Sequence, residues 1–129
     1  MSGGPIDARH ILLVDDAPES GAILAIALRT IPGAVVEIAE SAEAALSLLA
    51  AETVDVLITD IRMTGMTGLE LLGALRERGR WPRAGALVIS GETDPELPGR
   101  ALAAGASAYF AKPFSAGKVR QTVLSLLKS

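Results

Sequence analysis

The sequence predicts an α/β fold: a parallel sheet covered by helices on both faces, in one domain spanning 1–129 with its core over about 9–128. Three observations predict it. Five short apolar runs alternate with five segments of helical period. The runs are almost continuously apolar, as strands buried on both faces must be. The connections are short, which leaves right-handed crossovers and a parallel sheet as the available topology.

The elements follow in order. HILLVDD, residues 10–16, reads as a buried strand ending in two acids. A helix follows, with Pro18 suited to its first turn and Ile23, Leu24, Ala27, Leu28 and Ile31 at helical spacing, and Pro32 and Gly33 stop it. AVVEIAE, 34–40, is the second strand, with Val36 and Ile38 on one face. Ser41 can cap the next helix, whose positive end Glu40 and Glu43 suit and whose inner stripe is Ala42, Ala45, Leu46 and Leu49. VDVLITD, 54–60, is the third strand, followed by a helix from about Leu69 to Arg78 with Leu71, Leu72 and Leu75 inward. GALVISG, 85–91, is the fourth strand. Asp94, Pro95, Pro98 and Gly99 crowd the start of the helix after it, although Leu97, Ala101 and Ala104 keep helical spacing and Gly105 can close it in a left-handed cap. ASAYFAK, 106–112, is the fifth strand, ended by Pro113, and a last helix from about Ser115 buries Val119, Val123, Leu126 and Leu127.

Composition narrows the function. Half of the 129 residues are hydrophobic, so a core forms without staples, but only 3% are aromatic, which offers few surfaces for stacking bases or flavins. The net charge is -3 with no basic run, which argues against a nucleic-acid partner. The chain has no cysteine, no apolar run of membrane-spanning length and no secretory segment at its start, and the expected location is the cytoplasm.

In an open parallel sheet, ligands bind outside the carboxyl ends of the strands, where strand order reverses. Asp15 and Asp16 stand at the end of the first strand, Asp60 at the third, Ser90 and Gly91 at the fourth and Lys112 at the fifth. Each has an ordinary reading: adjacent acids cap helices, a strand-end Asp suits a turn, and most lysines are solvated. Their convergence on one edge is what those readings leave unexplained. Three carboxylates against one ammonium leave an excess of negative charge that a divalent cation can balance, and an all-oxygen donor set favours Mg²⁺ over Zn²⁺. The chemistry that fits is transfer of a phosphoryl group onto a carboxylate. His10, the one histidine, stands at the opposite end of the first strand and reads as structural or exposed.

On the motifs LLVDD, LITDIRMTGMTGLELL, LVISG and YFAKPF, in this order and from His10 to the last helix, the sequence resembles the receiver domains of bacterial response regulators. The resemblance implies a flavodoxin-like, doubly wound (βα)5 sandwich with strand order 2-1-3-4-5. It implies that Asp60 is the phosphoacceptor, that Asp16, Asp60 and the backbone carbonyl of Arg62 ligate Mg²⁺ directly, and that Asp15 helps through water. It further implies that Lys112 contacts the phosphoryl group, that Ser90 bonds it and shifts inward, that Tyr109 is the aromatic switch that follows, and that the Lys112–Pro113 bond is cis. The implied donor is a histidine kinase, a phosphotransfer protein or a small acyl phosphate. The implied output face is the fourth helix, fifth strand and fifth helix, which binds a protein target and can form a homodimer. No direct nucleic-acid or membrane contact is expected, and the chain is expected to be a switch rather than an enzyme, beyond phosphorylating and slowly dephosphorylating itself. It departs from the family at Thr64, where Pro is usual, at Ser90, where Thr is commoner, and at Pro98 and Gly99 in the fourth helix. Arg62 and Glu92 flank the site where the family varies.

Three other readings compete. A small phosphohydrolase of haloacid-dehalogenase type would want a second acid two residues after the nucleophile, where this chain has Arg62. A flavodoxin-like electron carrier would want a phosphate loop where this chain has the acidic DDAPES. A receiver-like scaffold that is never phosphorylated would not need the full set of strand-end residues.

Overall fold

The computed structural model describes residues 8–128. Its elements are β1 (Arg9–Val14), α1 (Pro18–Arg29), β2 (Ala34–Ala39), α2 (Ala42–Ala51), β3 (Val56–Asp60), α3 (Gly68–Glu77), β4 (Gly85–Ser90), α4 (Leu97–Ala103), β5 (Ala108–Ala111) and α5 (Ala116–Lys128). All strand pairs are parallel and the sheet order is β2-β1-β3-β4-β5, the doubly wound order expected.

The near-continuous apolar strands have a direct cause. Residues of alternating parity serve two different cores. Leu12, Val14, Leu57 and Val88 pack with Leu46 and Leu49 of α2, Leu71, Leu72 and Leu75 of α3 and Leu97 and Ala101 of α4. Their strand neighbours Ile11, Leu13, Ile58, Leu87 and Ile89 pack on the other face with Leu24 and Leu28 of α1 and Val119 and Val123 of α5. β1 lies between β2 and β3, so the chain winds outward in opposite directions from β1 and β3, and the switch point falls between their carboxyl ends.

Helix ends follow local chemistry. Ser41 accepts the Ala44 N–H at 3.0 Å and caps α2 as expected. α3 starts one residue earlier than its pattern suggests, because Thr67 and Glu70 form a reciprocal capping box ahead of it. α4 has only 7 residues, with Pro98 in its first turn.

The structure corrects several sequence expectations. Ile23 does not face inward: it is 70% exposed, beside Ile26 at 64%. Leu24, Leu28 and Ile31 are buried as their spacing suggests, Ala27 is half-buried, and Ala25 joins the buried stripe. Leu126 and Leu127 are half-buried, at the edge of their cluster. The strands are shorter than their apolar runs: β1 ends at Val14, β3 starts at Val56, β4 ends at Ser90, and β5 is only Ala108–Ala111. Asp15, Asp16 and Lys112 therefore stand in the loops just past the strands. Gly105 has φ +111, consistent with the close of a helix. Among the described residues no helix is long and apolar enough to cross a membrane.

Candidate functional site

The site begins with the backbone. The Asp15 N–H donates to the Ala39 carbonyl at 3.0 Å, which carries the β1–β2 ladder one residue past the strand and fixes Asp15 at the sheet edge. On the other side of the switch point, Asp60 closes β3 opposite Ile89 of β4. Lys112 is placed by its own N–H, which donates to the Ser90 carbonyl at 2.8 Å, and the following Lys112–Pro113 bond is cis, as the resemblance implies. Together these ends open onto a cavity of about 720 Å³ lined by Asp15, Asp16, Asp60, Arg62, Glu92 and Lys112 among others.

Asp60 is buried, and its charge is compensated. Its Oδ2 accepts from the Lys112 ammonium at 2.5 Å, and its Oδ1 accepts the Arg62 N–H at 3.3 Å. A lone carboxylate at that depth would be costly, and the pair removes most of the cost. Asp15 is also buried, and its Oδ1 accepts the Ala17 N–H at 2.8 Å. Burial pushes the Asp15 carboxyl above its ordinary value of 3.8. The Ala17 N–H and the Lys112 ammonium pull it down, while the charges of Asp60 and Asp16 add to the rise. Asp16 is exposed and its Oδ2 accepts both the N–H of Thr64, at 3.0 Å, and its hydroxyl, at 3.3 Å.

Not every expected residue reaches the cavity. Ser90 is fully buried at the end of β4, and its Oγ accepts the Glu92 N–H at 3.0 Å, so the hydroxyl lies beneath the wall rather than in it. Tyr109 is half-buried against the core on the α2–α4 face. The Arg62 side chain is 79% exposed and pairs with Glu92 at 3.2 Å across the mouth. Two contributors had no role assigned from the sequence, although Thr64 stood out there as a departure from the family. Thr64 orients Asp16 through a backbone N–H that the usual Pro would lack, and Gly68 allows a close approach: a Cβ there would sit 2.1 Å from the Asp60 carbonyl oxygen. The second Gly of MTGMTG was the available signal for the latter.

The donor set is hard and all-oxygen, with one oxygen each of Asp15 and Asp16 not engaged by the bonds above, which suits a small hard cation better than a soft one. Among the described residues, the set whose candidate ligand atoms all lie within 4.8 Å of one another is a different one, His10, Glu37 and Glu52, at the other end of the sheet.

Comparison with known proteins agrees with this architecture. The family model for the response regulator receiver domain matches residues 11–124. The chain is 38% identical over 104 residues to the transcriptional regulatory protein KdpE of Mycobacterium tuberculosis, covering 81% of this chain and 44% of KdpE. It is 32% identical over 113 residues to the chemotaxis protein CheY of Pseudomonas aeruginosa, covering 88% of this chain and 91% of CheY. It spans less than half of KdpE but nearly all of CheY. Among solved structures, the response regulator TrrA of Thermotoga maritima in complex with Mg²⁺-BeF superposes with a TM-score of 0.77 at 27% identity, over 92% of this chain and 98% of TrrA. With the sheet order, the strand-end residues and the family match in agreement, the chain belongs to the response regulator receiver domain family.

Proposed function

We propose that this chain is a phosphorylation-dependent switch whose phosphoacceptor is Asp60. The observation that carries the reading is the ion pair of Asp60 with Lys112 at the floor of a cavity that Asp15 and Asp16 also line. Ionised Asp60 is the nucleophile. One of its carboxylate oxygens bonds to phosphorus as the bond to the donor breaks, the donor leaves with that bond's electrons, and the product is an acyl phosphate on Asp60. Lys112, already in contact with Asp60, moves its ammonium onto the phosphoryl oxygens and offsets their charge. Asp15, Asp16, Asp60 and the Arg62 carbonyl are the residues that would hold Mg²⁺, which when bound supplies the positive charge that lets an anionic donor approach an acidic pocket. The Mg²⁺-BeF complex of TrrA supports this cation for the family site.

The Ser90 hydroxyl gives up the Glu92 N–H and turns toward the phosphoryl group, and Tyr109, on the neighbouring strand, moves with it. The surface of α4, β5 and α5 then presents a different face to a protein target. A histidine kinase or phosphotransfer protein is the donor, with small acyl phosphates as substitutes. The intact mass after incubation with acetyl phosphate and Mg²⁺ tests the reading. The expected result is a gain of one phosphoryl group that Mg²⁺ chelation and Asp60→Asn both abolish. No gain, or a gain that survives Asp60→Asn, overturns it.

A further inference from the structure

The end of the sheet far from Asp60 carries an arrangement that the switch does not use. His10 sits second in β1, where its backbone is held from both sides: its N–H donates to Asp55 Oδ2 at 2.8 Å and its carbonyl accepts the Asp55 N–H at 2.8 Å. In the β1–β2 register, Leu12 stands opposite Glu37 and His10 opposite Val35, so the two-residue period of a strand puts His10 and Glu37 on the same face. That is the face covered by α2, which ends at Ala51 and is followed directly by Glu52 as its C-cap. Three separate elements thus bring one imidazole nitrogen and two carboxylate oxygens within 4.8 Å of one another.

Two further observations point to a ligand there. The Nδ1 atom of His10 is buried and has no hydrogen-bond partner, an unusual state for a polar atom. The two carboxylates have no cation: among the described residues the ion pairs are Arg62–Glu92 and Lys112–Asp60. The nearby Arg80 guanidinium donates to the Ala50 carbonyl instead. The C-terminal end of α2 also concentrates negative charge and has no basic residue in its last turn, so its own dipole favours a cation at this spot.

We infer that His10, Glu37 and Glu52 form a second metal site, for a divalent ion of the zinc class, at the N-terminal edge of the sheet. One nitrogen with two carboxylate oxygens is a borderline donor set that Zn²⁺, Ni²⁺ or Cu²⁺ takes in preference to Mg²⁺. Bonds of about 2.0–2.1 Å to a tetrahedral ion need donors roughly 3.3 Å apart, a closure the exposed Glu52 side chain makes by rotating. Three protein ligands leave a fourth position for water. The bound ion ties β1, β2 and the α2–β3 connection together.

Zn²⁺ titration of the untagged full chain tests this, with millimolar Mg²⁺ present to fill the acidic cavity. Since His10 is the only histidine, its ring resonances report the site directly by NMR. The expected result is one Zn²⁺ per chain by calorimetry, with the His10 ring shifted in step. Glu52→Gln and His10→Gln each weaken binding at least tenfold, and Asp60→Asn does not. Glu52 is exposed, so Glu52→Gln should still fold, and a normal circular dichroism spectrum confirms that before it is titrated. An unshifted His10 ring, Zn²⁺ binding that survives Glu52→Gln, or Zn²⁺ binding that Asp60→Asn abolishes overturns the inference, the last by locating the ion in the acidic cavity only.

Discussion

Asp15 bears the electrostatic stress of the acidic cavity. It is buried beside two other carboxylates, and its carboxyl titrates above the usual 3.8 because burial disfavours the charge. A raised folded-state value has a definite sign. Below the unfolded value both states are protonated and Asp15 costs nothing; as pH rises through the folded value, stability is lost, and it stays lower at neutral pH. Asp15→Asn keeps the Oδ1 that accepts the Ala17 N–H and removes the charge. In metal-free buffer at pH 7 it should therefore raise stability by on the order of 1 kcal/mol, the scale of removing a partly buried charge near the surface. The gain should fade toward pH 3. Urea melts of both proteins across that range check it, and equal midpoints at pH 7 would remove the stress argument. Asp60, by contrast, is already neutralised by Lys112 and should not show this gain when made Asn.

At the scale of elements, α3 offers a paired test of how the site is built. Gly68 and Gly73 both lie in it. A Cβ at Gly68 would meet the Asp60 carbonyl oxygen at 2.1 Å, whereas one at Gly73 would meet nothing within 4 Å. Gly68→Ala should therefore cost about 3 kcal/mol or displace the Asp60 backbone, since the clash is with main chain rather than a flexible tip. Gly73→Ala should gain roughly 0.5–1 kcal/mol by narrowing the unfolded ensemble. Thermal denaturation of the two variants decides it, and shifts of the same sign would refute the packing account. The same helix shows what a sequence can convey. The inward Leu71, Leu72 and Leu75 were legible from period alone, because α3 has a clear polar face. The stripe of α1 was legible only in part: Leu24, Leu28 and Ile31 are buried, but Ile23 and Ile26 are exposed, so apolar residues occur on both its faces and the period alone does not exclude Ile23.

For the molecule as a whole, the sheet was legible because its strands serve two cores, and the acidic cavity was legible because topology alone sends every strand end to one edge. Contacts that depend on loop path or register were not legible. Thr64 and Asp16 lie 48 residues apart, and His10 meets Glu37 and Glu52 only through the β1–β2 register and the end of α2. The cavity's architecture also couples cation binding to global stability. Asp15 and Asp16 come from the connection after β1 and Asp60 from the end of β3, the two strands that flank the switch point, so an ion held between them links both directions of winding. Mg²⁺ at a hundredfold excess over its dissociation constant should stabilise the fold by about 2.7 kcal/mol. For a domain of this size that corresponds to a rise of roughly 10 °C in Tm. Asp15→Asn should start higher and rise less, because it has already lost part of the repulsion that the ion relieves. If the gain in Tm were the same in the wild type and in Asp15→Asn, Mg²⁺ would have to be bound away from the cavity. A gain insensitive to Asp16→Asn as well would place it on the general surface.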